Sequence, residues 1–355
     1  MPIGPGLVTH PDYLQHAPGN WPESPERLQA VLERFRAAGV AERTQPIRPR
    51  PATRRELELV HTPQYLTSLH QLAHRNGGYL DLDTIVTARS YEVAVLAAGG
   101  CLAAVDAACS AEGPVASLCL VRPPGHHAMP GRGMGFCLLN NVALAAAHAL
   151  AEHSLRRVLV VDWDLHHGNG TEAVFYSRSD VLYQSVHQSP CYPGTGWLTD
   201  VGEGEGEGYN VNLPFPPGAG DEAFEQAFTR LFVPIARDYA PELVLVSSGH
   251  DAHFADPLGS MQVTARGYRR LAAHLVDLAR ETAGGRIVAI MEGGYNEAAL
   301  GWSLLAVLDA LGGLELDLGD VEGAPGPGEG MPPEARQRIE QVRKLHAKHW
   351  PSLSS

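Results

Sequence analysis

The run Val158-Leu-Val-Val-Asp162-Trp-Asp164-Leu-His166-His167-Gly-Asn169 decides how this chain folds. Its first four residues are β-branched or Leu, with no polar position to mark an exposed face, so they read as a strand buried on both sides. A dense polar cluster follows at once. The same order recurs three times. VASLCLV (115–121) leads into Arg122-Pro-Pro-Gly-His126-His127, LVLV (243–246) into Ser248-Gly-His250-Asp251, and IVAIM (287–291) into Glu292-Gly-Gly-Tyr295-Asn296. Helical patterns over about 138–152, 222–239, 265–282 and 298–311 lie between and beyond these runs. Buried strands alternating with helices predict an α/β fold, a mostly parallel sheet with helices on both faces. Runs at 181–187 and 209–213 add candidate strands, and Pro234 is expected to kink or interrupt its helix.

Working outward, Ser24-Pro25 and Thr62-Pro63 are helix starts, with Gly39 and Asn76-Gly77 as the stops. The Ala-rich segment from Ser90 to about Ala111 reads as a buried helix. Residues 315–332 are acidic and rich in Gly and Pro, which predicts a surface loop before a last helix over about 334–348. GEGEGEG (202–208) is a glycine-rich turn whose glutamates would repel phosphates. No repeat or linker divides the chain. One domain over 1–355 is expected, with its motif-bearing core at about 10–313 and 314–355 as loop plus terminal helix.

Composition removes several function classes. Forty acidic and 27 basic residues give a net charge of −13, against a phosphate-backbone binder. Hydrophobic residues make up 44% of the chain, enough for a large core. Apolar stretches such as VALAAA (142–147) are too short to cross a membrane, and the N-terminus shows no signal pattern. Five cysteines without a CxxC pair suggest reduced thiols and a cytoplasmic home.

Ligands of open parallel sheets bind beyond the carboxyl ends of the strands, where the four polar clusters lie. Asp164 and His166 are separated by one residue, so on an extended segment both side chains point the same way. Asp251, leaving a neighbouring strand, would complete a three-ligand divalent-metal site with an open position. Two carboxylates and an imidazole suit Zn²⁺ and tolerate Fe²⁺ or Mn²⁺. The competing reading has Asp162 and Asp164 merely capping the following turn. His126 and His127 need partners to fix their tautomers, and Asp162 and Asn169 are available. Glycine before Tyr295 permits a turn that presents its hydroxyl as an oxyanion donor, although a core aromatic would read the same.

Together RPPGHHA (122–128), GFCLLNNVAL (135–144), VDWDLHHGNGTEAVF (161–175), YPGTG (192–196), GEGYNVNLP (206–214), DAHFADPLG (251–259), EGGYN (292–296) and ESPERL (23–28) resemble the histone deacetylase family, including its bacterial members and the acetylpolyamine amidohydrolases. The resemblance spans about residues 10–310 and implies zinc-dependent amide hydrolysis on an arginase-like α/β fold. By position it makes Asp164, His166 and Asp251 the metal ligands, His127 the general base and later acid, and His126 its electrostatic partner. It gives Tyr295 the oxyanion, sets Asp162 to orient His126, and places Asn169 behind His127. An Asn at 169, with EGGYN and DPLG, points to the class II branch. Gly135, Phe136, Tyr192 and Leu258 would line a tunnel for an acyl-lysine stem, and Asp162, Asp164, His166 and Ser185 match a structural potassium site. Leu258 stands where a polyamine-selective relative carries Glu, and His250 where many class II members carry Phe. Bacterial relatives imply a dimer or tetramer.

The expected activity is therefore hydrolysis of an acetyl or acyl amide on a primary amine by metal-activated water. Acetyl-lysine, an acetylpolyamine or a small acetylated metabolite would serve as substrate, with no nucleic-acid or membrane partner. One rival is a manganese ureohydrolase, for which His253 and Asp256 would have to help hold a second metal. The other is a non-catalytic receptor for acylated amines.

Overall fold

The apolar runs become the centre of one eight-stranded sheet. A computed structural model describes residues 4–325 and 330–354. In chain order the strands are β1 (Gly6–Val8), β2 (Gln45–Ile47), β3 (Gly78–Tyr79), β4 (Ile85–Val86), β5 (Ala116–Cys119), β6 (Val158–Asp162), β7 (Val181–Gln188), β8 (Asn210–Phe215), β9 (Leu243–Ser248) and β10 (Ile287–Met291). β3 and β4 form a small antiparallel hairpin of their own. The other eight run in the order β2-β1-β5-β10-β9-β6-β7-β8, every neighbouring pair parallel.

Every residue of β6, β7, β8, β9 and β10 is buried. Successive side chains of a strand point to opposite faces, so both faces of this sheet are covered. The covering helices are α1 (Pro25–Ala37), α2 (Arg54–Leu57), α3 (Pro63–His74), α4 (Ser90–Cys109), α5 (Asn141–Glu152), α6 (Asn169–Phe175), α7 (Asp221–Ala227), α8 (Val233–Tyr239), α9 (Ala265–Thr282), α10 (Glu297–Gly312) and α11 (Pro333–His346). Because the strands are parallel, the segments after β5, β6, β9 and β10 emerge at one edge.

Local chemistry accounts for most boundaries. Thr62 caps α3 by accepting from the Tyr65 amide, whereas Ser24 starts α1 without a side-chain cap bond. Pro234 acts upstream: a π-helical turn, Phe228–Phe232, joins α7 to α8, and Pro234 then sits in the first turn of α8, where its missing N–H costs nothing. The Ala-rich segment forms α4, the buried helix expected there. The expectation that every apolar stretch is too short to cross a membrane is corrected: α4 has the length and composition to do so, although 61% of its most apolar 18 residues are buried inside the protein.

Residues 315–325 and 330–332 of the expected loop are free of helix and strand, and are pinned where Asp320 accepts from His253 Nε2 and the Ala265 amide, both at 2.8 Å. Residues 326–329 of that loop lie outside the described residues. The chain after α11 returns to the body, with Trp350 Nε1 donating to Gly208 O at 3.0 Å. The fold is single-domain.

A buried ion cluster fixes the N-terminal segment to the sheet. Arg122, just beyond β5, grips Glu23 through Nε at 2.6 Å and Nη2 at 2.8 Å, and donates to the carbonyls of Tyr13 and His16. Burial opposes ionisation of Glu23, yet Arg122 and His16 outweigh it and hold the carboxyl well below its ordinary value. The stabilisation is present above the usual carboxylate range and lost as the pH falls through it toward the depressed value. Glu23→Ala leaves Arg122 buried without its counter-ion. A loss of about 3–5 kcal/mol in urea unfolding at neutral pH is expected, and a change below ~1 kcal/mol would show the pair to be dispensable.

Candidate active site

The four polar segments meet beyond the carboxyl ends of β5, β6, β9 and β10. At the centre, His166 Nδ1 lies 3.2 Å from Asp164 Oδ1 and 3.0 Å from Asp251 Oδ2. The three donor atoms fall within 4.8 Å of one another, and both aspartates are fully buried. The route to this convergence differs from the expected extended segment. After Asp162 the chain bends, and the His166 amide donates to Asp164 Oδ1 at 2.9 Å while the Asp164 amide donates to Asp162 Oδ1 at 3.1 Å. The turn-capping reading and the ligand reading are thus both satisfied, by different lone pairs.

Backbone donors hold the outer oxygens. Leu165 N reaches Asp251 Oδ1 at 2.8 Å and Gly293 N reaches Asp164 Oδ2 at 2.9 Å. A Cβ at 293 would lie 2.4 Å from Asp251 Oδ2 and 2.6 Å from Asp164 Oδ2, so only glycine fits. Burial raises the Asp251 carboxyl and the neighbouring Asp164 charge raises it further. For Asp164, burial is outweighed by His126 and His166, which lower it. Two buried carboxylates sharing one imidazole carry excess negative charge, which a divalent cation on these oxygens and Nδ1 would neutralise. The donor set fits the metal site that the sequence suggests.

The histidine pair after β5 divides between two partners. His126 Nδ1 lies 3.1 Å from Asp162 Oδ2, and His127 Nδ1 lies 2.8 Å from Asn169 Oδ1. Asn169 Nδ2 faces the sulfurs of Met129 and Met134, weak acceptors that suit an N–H, so Oδ1 is the atom left to accept from His127. His127 therefore carries its proton on Nδ1 and keeps Nε2 as a free base. Burial lowers the His127 pKa, and His126 and His166 lower it further. At His126 burial works the same way, but Asp164 and Asp162 win and raise it to about 10.

Above this floor lies a pocket of about 260 Å³, lined by His127, Gly135, Phe136, Tyr192, Leu258 and Tyr295 among others. His127 meets the Tyr192 ring edge-on at 5.1 Å, and Phe136 meets Tyr295 at 5.8 Å. At Gly135 (φ +56°) a Cβ would press on the His127 ring at 2.5 Å. Burial raises the Tyr295 hydroxyl pKa well above its ordinary value, with Arg27 opposing, so it stays a proton donor.

All the nominated catalytic, metal and tunnel residues converge here, whereas others turn away. His167 bonds Thr195 Oγ1 at 2.8 Å, and His250 packs on Tyr268 with its ring centroids 4.5 Å apart. His253 is taken by Asp320, and Asp256 accepts from the Tyr295 and Asn296 amides at 2.6 and 3.2 Å. Neither is free for a second metal, which removes the basis of the ureohydrolase reading. Ser185 sits opposite Asp162 in the β6–β7 register, and its hydroxyl bonds His187 Nδ1 at 2.9 Å.

Three supports carried no assigned role in the sequence. Glu292 Oε2 accepts from the Gly125 and His126 amides at 2.5 and 3.2 Å, fastening the histidine loop. Arg27 donates to the carbonyls of Gly294 and Glu292, each at 2.6 Å, and lies over the Tyr295 ring at 4.8 Å. Asp83 joins the pocket wall from the segment between β3 and β4. ESPERL contains Arg27 and EGGYN contains Glu292, but only the tertiary contacts reveal what they hold.

The model of the histone deacetylase domain matches residues 21–311. The chain belongs to the histone deacetylase family. A probable deacetylase of Archaeoglobus fulgidus is 37% identical over 97% of this chain and 98% of that protein. The histone deacetylase-like amidohydrolase of Pseudomonas aeruginosa is 40% identical over 88% of this chain and 81% of its own length. The human polyamine deacetylase HDAC10 is 39% identical over 99% of this chain and 53% of that protein. Among solved structures, the HDA15 HD domain superposes with a TM-score of 0.90 at 36% identity, covering 99% of this chain and 96% of that one. This histone deacetylase family member is accordingly a hydrolytic deacetylase.

Asp251→Ala deletes one of the three convergent donors. The variant purified from zinc-supplemented medium is expected to hold no metal at this site and to be inactive. Retention of the parent's full zinc content would exclude Asp251 as a ligand.

Proposed function

We propose that this chain hydrolyses the acetyl or acyl amide of a primary amine with zinc held by Asp164, His166 and Asp251. The observation that carries the reading is the unequal histidine pair beside that donor set, at the floor of an aromatic-walled pocket. Zinc, when bound, polarises the amide carbonyl and lowers the pKa of a water molecule toward ~7. Fe²⁺ suits the same donors.

The protein's own groups do the rest. Neutral His127, its Nδ1–H held by Asn169, accepts the proton of the attacking water at Nε2. The same nitrogen then returns a proton to the departing amine, which would otherwise leave as an anion. His126, charged and oriented by Asp162, supplies positive potential beside the developing negative charge. The Tyr295 hydroxyl donates to the carbonyl oxygen as it becomes an oxyanion. Phe136 and Tyr192, with Gly135 and Leu258, clasp an aliphatic stem and exclude water.

A polyamine deacetylase stands among the relatives, yet Leu258 offers no charge to a second ammonium at the pocket wall. An acetyl-lysine-like stem or a small acetylated amine fits this wall better. Asn169 supports placement in class II, and Asp162, Asp164, His166 and Ser185 are carried as a structural potassium site.

Release of acetate from acetyl-lysine peptides or other acetylated amines by zinc-loaded protein tests the reading, and no release from any of a broad panel would favour the receptor alternative. Within that assay Tyr295→Phe is expected to lower kcat by ~10²–10³ with zinc content and KM little changed. A kcat within about threefold of the parent would remove Tyr295 from the chemistry.

Asn169→Asp places a carboxylate against His127 Nδ1 and so stabilises the imidazolium. The His127 pKa rises, and the pH below which the base is lost rises with it. The acid limb of the kcat/KM profile should move up by about 1–3 pH units. An unmoved limb would mean that His127 is not the group titrating there.

A further inference from the structure

A second group of metal-type donors lies outside this site, between α4 and the end of α5. His148 Nε2 and His153 Nε2 approach the same oxygen, Asp106 Oδ1, at 2.7 and 2.8 Å. The three donor atoms lie within 4.8 Å of one another, and the two rings stand 73° apart with centroids at 5.5 Å. They open onto a surface cleft of about 540 Å³. Arg50 borders it, held by Glu56 at 2.6 and 2.9 Å, and its Nη2 is 3.7 Å from the other Asp106 oxygen.

Proton placement is what marks this as a cation site. With nothing between them, both Nε2 atoms must donate to one carboxylate oxygen, which puts the bare lone pair of each neutral ring on Nδ1. His148 is buried, and its Nδ1 has no hydrogen-bond partner among the described residues. Such an orphan costs about 1–3 kcal/mol. A cation bound by both Nε2 atoms moves the proton to Nδ1, where the new N–H of His148 faces Glu56 Oε1 at 3.8 Å. A carboxylate is the usual outer partner of a metal-bound histidine, and a shift of under ~1 Å would bring this one into hydrogen-bond range.

We propose that Asp106, His148 and His153 form a second divalent-cation site that takes zinc, or a similar metal favouring imidazole, and ties α4 to the end of α5. Two imidazoles and one carboxylate are a zinc-type donor set. The Arg50 charge is cancelled by Glu56, so with neutral rings the cluster keeps the single negative charge of Asp106. Burial disfavours the Asp106 anion, but the two histidines hold its pKa at about 2, so the carboxylate is ionised when a metal arrives.

Metal counting on zinc-equilibrated, desalted protein tests the site, with Co²⁺ absorption as a second readout. Asp251→Ala, which empties the active centre, is expected to retain one equivalent, so the result stands whatever the active centre holds. His153→Ala changes a half-buried residue just past α5 and should weaken zinc binding here on the order of 100-fold or more, with parental deacetylase activity. Asp106→Asn keeps the shape, loses the anion, and should behave the same way. An unchanged metal count and Co²⁺ spectrum in both variants would overturn the site, as would an Asp251→Ala protein that binds no zinc and does not melt higher in its presence.

Discussion

Two carboxylates, Asp164 and Asp251, are buried beside one imidazole at the edge of a sheet, and most of what surrounds them answers that cost. Removing two like charges from water is expensive unless their lone pairs are filled and their charge is met. The amides of Leu165 and Gly293 fill one oxygen of each, and His166 bridges the other two. The remaining negative charge draws His126 toward its cationic form, and a divalent metal would draw on the same charge. The fold therefore stores affinity for a cation, and binding one stabilises the folded state by linkage.

Parallel strand order makes the arrangement reachable. β6 lies between β9 and β7, and β10 flanks β9, so Asp162, Asp251 and Gly293 leave adjacent strands at one edge. Loops this polar need anchors, and the anchors are themselves buried ionisable groups. Glu292 fastens the loop bearing His126 and His127, Arg27 ties the segment bearing Tyr295, and Arg122 with Glu23 binds both to the N-terminal segment. The buried Glu23–Arg122 pair explains why residues before the first long strand support the site.

Much of this was legible in the sequence because it rests on local pattern. The central strands announce themselves as unbroken apolar runs, α1 and α3 by their Ser-Pro and Thr-Pro starts and their glycine stops, and α9 and α10 as helical stretches beside those runs. What was not legible depends on distant partners or on length. β1 and β2 are three residues each, too short for any periodicity, and QPI even carries Pro46, allowed because β2 is an edge strand. α6 begins after Gly168 with no side-chain cap to signal it. At the bend after Asp162 the sequence offers turn capping and metal ligation as rivals, because spacing alone does not show that Asp164 can cap a turn and face His166 at once. The motifs contain Glu23, Arg27 and Arg122, but their burial and their partners come only from tertiary contacts.

The adjacent histidines show how little sequence distance matters to protonation. His126 and His127 share a loop and a burial depth, and their ring centroids are 4.0 Å apart. Protonating one disfavours protonating the other, so the pair settles the question by its partners. His126 faces the carboxylates of Asp162 and Asp164 and takes the proton, whereas His127 faces the neutral amide of Asn169 and does not. An amide at 169 fixes the tautomer without supplying charge, which keeps a base available beside a cationic neighbour. On the proposed reaction this separation lets two identical side chains do different work, one accepting a proton and the other stabilising an anion. A carboxylate in place of Asn169 would give both rings an anionic partner, His126 keeping Asp162 and Asp164, and would draw the cation toward the ring where the base is needed.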